Sequence, residues 1–265
     1  MPALVGGFGK LNPILSLNIN NILNLPNCLS FNLFKEACSD KTINTGKLIE
    51  NKQNICNYLG SYLAGLIEGD GTFAVHDKNS TVQKYRPAII IVFKIADLPL
   101  AEYLQNLTNC GSVYKKTNRG YVLWQIQDIV GVYSIVNIIN GYMRTPKIEA
   151  LNRTINWLND YISVNNNSKL PSTKLILSQI KNIEIKGLDN SPIDSNPWLS
   201  GFTDADGNFS INIHKRTNRN SIRVQLFYRL EIRQVYHRLT PAGEQVSFFA
   251  IMSKIATYLN TSVLS

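Results

Sequence analysis

Alternating apolar and polar residues predict an antiparallel strand pair at two places in the chain. Residues 84–95 place an apolar side chain or proline at every second position, the period of a strand with one buried face. These core-facing positions are Tyr85, Pro87, Ile89, Ile91, Phe93 and Ile95. Residues 72–76 supply the partner strand, with a turn near 77–82. Residues 208–216 and 222–235 form a second hairpin in the same way.

The first hairpin belongs to a longer series of predicted elements. Apolar periodicity and turn residues place helices at about 98–107, 129–139 and 146–161, and strands at 112–116 and 121–127. This order of helices and strands predicts an α+β unit built on one antiparallel sheet.

Changes in composition divide the chain into four predicted segments. Residues 1–57 are rich in Asn, Leu and Ile, and are expected to be flexible because Asn interrupts the apolar residues too often for a membrane span. Residues 58–162 hold the first α+β unit. Residues 163–196, rich in Asn, Ser and Pro, read as a linker, and residues 197–265 begin a second unit.

Each unit opens with a similar sequence, YLAGLIEGDGTF at 62–73 and WLSGFTDADGNF at 198–209. Small residues recur at helical spacing in both, which predicts two helices packed closely about a pseudo-twofold axis. Each copy ends in an acid followed by glycine, Asp70-Gly71 and Asp206-Gly207, and glycine commonly ends a helix. Pairing the helices would bring two carboxylates together at helix C-termini, where a metal cation would relieve their repulsion.

The residues leave two other interpretations to weigh. A glycine-bearing apolar helix with one acid is commonly a packed core helix, but the repetition of the pattern argues against that explanation. Asp204, Asp206 and Asn208 alternate as in a calcium-binding EF-hand loop. The sixth position of such a loop would be Phe209 in place of glycine and the twelfth Lys215 in place of glutamate, so the EF-hand is rejected.

LAGLIEGDG (63–71) and LSGFTDADG (199–207) closely resemble the paired signature of the LAGLIDADG homing endonucleases, and the resemblance extends from about residue 58 to the C-terminus. It implies two pseudo-symmetric αββαββα units whose signature helices pack together. Their antiparallel sheets would form a saddle over double-stranded DNA. The implied activity is site-specific, metal-dependent cleavage of DNA that promotes intron mobility, performed by a monomer that acts as a pseudo-dimer.

The same resemblance assigns roles to individual residues. Asp70 and Asp206 are expected to bind Mg²⁺ or Mn²⁺, helped by the carbonyl groups of Gly69 and Ala205. Lys147, in the stretch MRTPK, matches the position of a catalytic lysine. Arg144 is the alternative for that role. Glu68 and Asp204 are expected to support the turn and are left out of catalysis.

Composition and strand alternation together favour a nucleic acid as the partner. The chain holds 27 Lys and Arg against 18 Asp and Glu, a net charge of +9. Arg and Gln read purine edges in the major groove, which a two-stranded ribbon can enter, although each such residue alone is commonly just solvated. The candidate DNA-binding residues are Arg86, Lys94, Gln125, Gln127, Arg223, Gln225, Arg229 and Arg233.

The cysteines give no sign of a zinc site. Cys28, Cys38, Cys56 and Cys110 show no C-x-x-C spacing, and the chain has only 3 His. We expect free thiols.

The first ten residues, MPALVGGFGK, resemble a stretch of cytochrome c oxidase subunit 1, whose mitochondrial gene often hosts group I introns. This resemblance implies an organelle-encoded protein of the mitochondrial matrix, and it makes the N-terminus an exon-derived leftover with no role in the fold. No Arg-rich amphipathic transit pattern precedes the first unit.

The second unit is predicted to be incomplete, since the sequence ends about where its third strand should begin and no second MRTPK follows Thr240. A sheet cut in this way would expose an unpaired edge and an apolar face. Three functional hypotheses remain: a DNA endonuclease, a maturase that binds group I intron RNA and assists splicing, and an inactive remnant.

Overall fold

The computed structural model of the protein describes residues 3–7, 46–75, 86–215, 222–240 and 242–264. Its centre is a pair of helices, α1 (Gly46–Asp70) and α6 (Trp198–Asp206), which contain the two signature sequences. A Cβ atom added to Gly65 would collide with the carbonyl oxygen of Trp198, and one added to Gly201 with that of Tyr62. The helices therefore pack backbone against backbone, as their small residues predict.

The first unit has the predicted order of elements. After α1 come β2 (Gly71–Ala74), β3 (Ala88–Lys94), α2 (Leu98–Thr108), β4 (Ser112–Lys116), β5 (Tyr121–Ile126), α3 (Ile129–Ile139) and α4 (Ile148–Asn165). The four strands form one antiparallel sheet in the order β2-β3-β5-β4. The turn expected near residues 77–82 lies outside the described residues.

One face of this sheet forms the main core against the helices. Ile89, Ile91, Trp124 and Ile126 are fully buried. The alternation predicted for β3 is confirmed from Pro87 to Phe93, and Tyr85 lies outside the described residues. Ile95, however, is 37% exposed. Ile95 lies in a 3₁₀ turn, residues 95–97, where the chain leaves the strand and the alternation ends.

The linker between the units is anchored to the first unit. It contains a short helix, α5 (Pro171–Leu177), and buries Ile180 and Ile183. Asn159 of α4 exchanges two hydrogen bonds of 2.9 Å with the backbone of Ile183. Asn140 at the end of α3 donates to the carbonyl of Glu184 at 2.8 Å.

The second unit begins like the first and then departs from it. Its elements after α6 are β6 (Gly207–Lys215), β7 (Ile222–Glu231), β8 (Val235–Leu239), β9 (Gln245–Ser247), α7 (Phe249–Tyr258) and β10 (Val263–Leu264). The β8–β9 hairpin was not predicted, and its insertion ends the strand expected over 222–235 at Glu231. The start of a further strand near the C-terminus is confirmed as β10.

Residues near the N-terminus join the second sheet. Strand β1 (Ala3–Gly7) lies between β7 and β10, giving the strand order β10-β1-β7-β6. The expectation that the first ten residues have no role in the fold is therefore wrong for residues 3–7. The boundary expected at residue 57 also falls inside a helix, because α1 begins at Gly46.

The second sheet exposes an apolar face. The side chains of Phe209, Ile211 and Ile213 in β6 are each more than 60% exposed. Their partners in β7, Leu226 and Val224 opposite the two isoleucines, are also exposed. Within the described part of the chain, no helix is long and apolar enough to cross a membrane.

Replacing Gly201 by Ala is expected to destabilise the protein because the new methyl group meets the backbone of α1, which cannot move aside as a side chain would. Overpacking of this kind costs about 1–3 kcal/mol or more. Urea unfolding measures the loss. Gly187→Ala is the matched control, since a Cβ there meets no atom within 4 Å. Equal unfolding free energies for the two variants would show that the helices do not touch here.

Candidate active site

The two signature acids lie at neighbouring helix ends. Asp70 is the last residue of α1 and Asp206 the last of α6. A Cβ added to Gly69 would collide with the methyl group of Ala205 and lie 3.1 Å from Asp206 Oδ2. Partial burial and the charge of Asp206 raise the pKa of Asp70 to about 6. Burial also raises the pKa of Asp206, against the opposing effect of Lys147. Both shifts mark a site that disfavours two bare negative charges.

Lys147 holds the end of the first signature helix. Its Nζ donates hydrogen bonds to the carbonyl oxygens of Ile67 (3.0 Å), Gly69 (3.2 Å) and Gly71 (2.9 Å). A cation at a helix C-terminus satisfies carbonyls that have no partner within the helix. Burial lowers the pKa of Lys147, while the nearby acids act to raise it. The Gly69 carbonyl, expected to bind a metal, here accepts from Lys147.

A cavity of about 530 Å³ opens in front of the acid pair. The first unit contributes Asp70, Lys147 and Arg153 to its lining, and the second unit contributes Asp206 and the β8–β9 region. That second-unit region supplies Glu231, Ile232, Arg233, Tyr236, His237 and Phe248. The cavity is therefore built by both units.

The β8–β9 hairpin is tied to α4 beside this cavity. Tyr236 donates its hydroxyl to Glu149 Oε2 at 3.2 Å, and Glu149 forms a 2.6 Å ion pair with Arg153 one helical turn later. Arg153 also donates to the carbonyl oxygen of Val75, at the end of β2, at 2.7 Å. These contacts were missed from the sequence. The sequence Thr-Pro-Ala-Gly at 240–243 is typical of a turn, and it could have indicated a hairpin between two short strands.

Comparison with known proteins agrees with this geometry. The family model for "LAGLIDADG endonuclease" matches residues 63–158 and 199–265. The chain belongs to the LAGLIDADG endonuclease family. The earlier identification of the family from the two signatures is thus confirmed.

Similar proteins in this family are encoded in introns. The chain is 48% identical over 271 residues to intron-encoded DNA endonuclease aI3 of Saccharomyces cerevisiae, covering all of this chain and 58% of that protein. It is 29% identical over 177 residues to an uncharacterized cox1 intron-2 protein of Schizosaccharomyces pombe, covering 67% of this chain and 46% of that protein. The chain thus spans about half the length of these relatives.

Solved LAGLIDADG structures are similar to the chain at low sequence identity. The meganuclease I-CpaMI bound to uncleaved DNA is 15% identical with a TM-score of 0.46, over 77% of this chain and 76% of that chain. I-SmaMI bound to cleaved DNA is 16% identical with a TM-score of 0.45, over 76% and 82%. The α+β architecture with antiparallel sheets that this chain itself shows is as predicted.

The other acid of the first LAGLIDADG signature, Glu68, has a structural role. Its buried carboxylate accepts hydrogen bonds from the backbone N–H groups of Arg144 (3.0 Å) and Thr145 (2.6 Å), from the Thr145 hydroxyl (2.6 Å) and from Trp198 Nε1 (2.5 Å). Burial raises the pKa of Glu68 although these hydrogen bonds act to lower it. Glu68 therefore joins the loop before Lys147 to the start of the second signature helix.

The matching acid of the second signature is also engaged. Asp204 accepts a 2.8 Å hydrogen bond from the hydroxyl of Tyr62 on the opposite signature helix. Burial raises the pKa of Asp204, and this hydrogen bond acts to lower it. Both acids therefore link the two units, Glu68 through Trp198 and Asp204 through Tyr62.

Lys147 lines the cavity, whereas Arg144, the alternative to it, lies elsewhere. The Arg144 guanidinium is buried, forms a 2.8 Å ion pair with Asp189 and donates to the carbonyl oxygen of Ser191 at 2.7 Å. It also lies over the ring of Trp198, 5.6 Å from the centroid. The partners that hold the Arg144 guanidinium thus come from the linker between the two units.

The candidate DNA residues of the first unit lie along one side of its sheet and at its ends. Arg86 is exposed just before β3, Lys94 is exposed at the end of β3, Gln125 is half-buried in β5, and Gln127 is exposed after β5. The register places Lys94 opposite Tyr121, which also pairs with Lys116. Lys116 is thus a further basic residue at this end of the sheet, and the sequence analysis did not name it as a candidate.

The candidates of the second unit share one face of β7. Arg223, Gln225 and Arg229 alternate along the strand, and Arg233 is exposed just beyond it. The register places polar residues of β6 opposite the first three, namely His214, Asn212 and Asn208. These β6 residues were missed, although the alternation in NFSINIHK was the signal for them. Arg229 also forms a 3.7 Å ion pair with Glu231. This ion pair is weak because solvent screens both exposed side chains.

Removing one of the two repelling acids is expected to stabilise the protein at neutral pH. Because the pKa of Asp70 is raised to about 6 in the folded state, its ionised form is disfavoured by folding, and stability falls as the pH rises through that value. In metal-free buffer, Asp70→Asn should therefore have a higher Tm than the wild type at pH 7.5. The difference should shrink as the pH falls toward 4.

Asp194→Asn provides the control for this measurement, since Asp194 is an exposed acid outside the site. A pH-independent difference between Asp70→Asn and the wild type, or one matching the Asp194 control, would contradict the repulsion between the two signature acids.

Proposed function

We propose that the protein is a site-specific, metal-dependent DNA endonuclease that hydrolyses phosphodiester bonds and promotes intron mobility. The observation that carries this proposal is the acid pair: each unit contributes one carboxylate to a single cavity, with Lys147 beside them. Two strand cuts require two sets of reacting groups, and a pseudo-twofold acid pair supplies one acid for each. The 48% identical relative, named a DNA endonuclease, supports the same activity.

Asp70 and Asp206 fit a hard divalent cation. The available donors are carboxylate and backbone carbonyl oxygens, which Mg²⁺ and Mn²⁺ prefer. Among the described residues, no group of three or more His, Cys, Asp or Glu could hold a metal ion. Mg²⁺ at phosphate substrates is commonly held by only one or two protein carboxylates, and Asp70 and Asp206 would supply these. The bound cation would lower the pKa of its water and offset charge on the phosphate.

The protein side chains then have separate tasks. Asp70 and Asp206 must be ionised to act, and their raised pKa values make that form dependent on a nearby positive charge. Lys147 supplies such a charge in a fixed position, because three carbonyl oxygens hold its ammonium group. A preorganised cation of this kind can stabilise the negative charge that develops on the phosphate.

The two sheets supply the DNA surface. Each places basic side chains that are exposed on its strands: Lys94 and Lys116 in the first unit, beside the half-buried Gln125, and Arg223 and Arg229 in the second. Arg86, Gln127, Gln225 and Arg233 complete the set proposed from the sequence. Such residues suit phosphate contacts and hydrogen bonding to base edges.

One chain is sufficient for this site, since both acids belong to it; we therefore infer a monomer. We also place the protein in the mitochondrial matrix. The similarity of the first ten residues to cytochrome c oxidase subunit 1 and the cox1 intron origin of one relative support this location.

Asp70→Asn keeps the shape of the side chain while removing the charge proposed to hold the metal. We expect this variant to bind the target duplex with near-wild-type affinity and to lose Mg²⁺-dependent cleavage. The assay uses a plasmid carrying the intron-free junction of the host gene and scores supercoiled, nicked and linear DNA, with binding of the intron RNA measured beside it. Unchanged cutting by Asp70→Asn would contradict the assignment of one acid to each strand cut. If the wild type binds the intron RNA but cuts no DNA, the result favours a maturase.

Arg229→Ala is expected to weaken binding of the same duplex about tenfold, because loss of one Arg contact costs about 1–3 kcal/mol. A smaller slope of log Kd against log salt concentration would identify the contact as one to phosphate. Fluorescence anisotropy over a salt series measures both quantities. Lys181→Ala, which removes an exposed charge from the linker, should change neither. Equal effects of the two variants would contradict a DNA contact at Arg229.

A further inference from the structure

The second sheet takes one of its strands from the opposite end of the chain. In the first unit, β3 pairs with β5, and β5 pairs with β4. In the second unit, β7 pairs with β1, and β1 pairs with β10. Strand β1 (Ala3–Gly7) therefore occupies in the second sheet the place that β5 occupies in the first, although it precedes the first unit in the sequence.

The ladders of the two sheets can be followed strand by strand from equivalent starting residues. The glycine after each signature acid aligns them: Gly71 pairs with Ile91, and Gly207 pairs with Leu230. Across the next ladder, Ile91 pairs with Trp124, and Leu230 pairs with Leu4. Leu4 thus stands at the position of Trp124.

The third ladder of each sheet continues this comparison. Trp124 pairs with Val113 of β4, and Leu4 pairs with Val263 of β10. All of these ladders are antiparallel. Strand β1 therefore takes between β7 and β10 the place that β5 takes between β3 and β4, with antiparallel neighbours on both sides.

We propose that the space between β7 and β10 is a strand-binding site and that residues 3–7 are its occupant, donated to complete the second sheet. Without this strand, β7 and β10 would each present unpaired backbone N–H and C=O groups, which readily bind an extended peptide. The remaining β6–β7 ribbon would be a two-stranded sheet, which is marginally stable in water. The donation consequently stabilises the strand that presents Arg223 and Arg229.

Disulfide cross-linking tests directly whether β1 lies beside β10 with Leu4 opposite Val263. In a background carrying Cys28→Ser, Cys38→Ser, Cys56→Ser and Cys110→Ala, the pair Leu4→Cys and Val263→Cys joins residues that face each other across adjacent strands. Paired antiparallel residues have Cα atoms about 4.5–5.5 Å apart, within the range for a disulfide. We expect this pair to cross-link at least tenfold faster than Gly7→Cys with Val263→Cys, which is out of register by three residues. Equal rates would overturn the proposal.

Hydrogen exchange provides a second test that does not depend on DNA cleavage. Leu4→Pro removes a backbone N–H and places a proline in a strand with neighbours on both sides. The amides of residues 227–231 should then exchange at least tenfold faster, while those of β3 stay unchanged. A peptide of sequence MPALVGGFGK added in trans should restore protection, and a scrambled peptide should not. Unchanged exchange at residues 227–231 would show that β1 does not occupy the site.

Discussion

The site depends on direct backbone contact between the two signature helices. Gly65 and Gly201 let the helices approach until each meets a carbonyl oxygen of the other. This approach fixes where the helices end, and so it brings Asp70 and Asp206 to one place. A side chain at either crossing glycine would separate the helices and the acids with them. The glycines therefore determine the electrostatics of the cavity, although neither lines it.

That close approach creates an electrostatic problem that the first unit partly solves. Two carboxylates meet at helix C-termini, where the carbonyl groups already carry partial negative charge. Lys147 lies against the carbonyls of α1 and acts to lower the pKa of both acids, against the burial that raises it, so one half-buried ammonium opposes both sources of negative charge. Glu68 fixes the loop that carries this lysine by accepting hydrogen bonds from its backbone, and it also binds Trp198 of the other helix. Helix packing and lysine position are thus linked through one buried carboxylate.

The sequence predicted the parts of the site that local patterns encode. The acids, the helix pair and the alternating strands follow from spacing within short segments, and resemblance to the family located Lys147. The ion pair of Arg144 was not foreseen, because its partner Asp189 lies in the linker. The polar composition of the linker gave no sign that it packs on the first unit. The β8–β9 hairpin was missed because its strands are short and lack apolar alternation, leaving the turn as the main signal.

The pairing of β1 shows why sheet order is harder to predict than strand position. Strand pairing is a contact between backbones, and backbone hydrogen bonds carry little information about which segment supplies them. In the first sheet the neighbour of β3 follows a helix of its own unit, whereas in the second the neighbour of β7 comes from more than 200 residues away in the chain. The shared strand order indicates that pseudo-symmetry is a property of the positions in the sheet, not of the order of the chain. A gap between two strand edges can accept any extended segment that reaches it. This explains how residues 3–7, which belong to a stretch that resembles cytochrome c oxidase subunit 1, can become part of the fold.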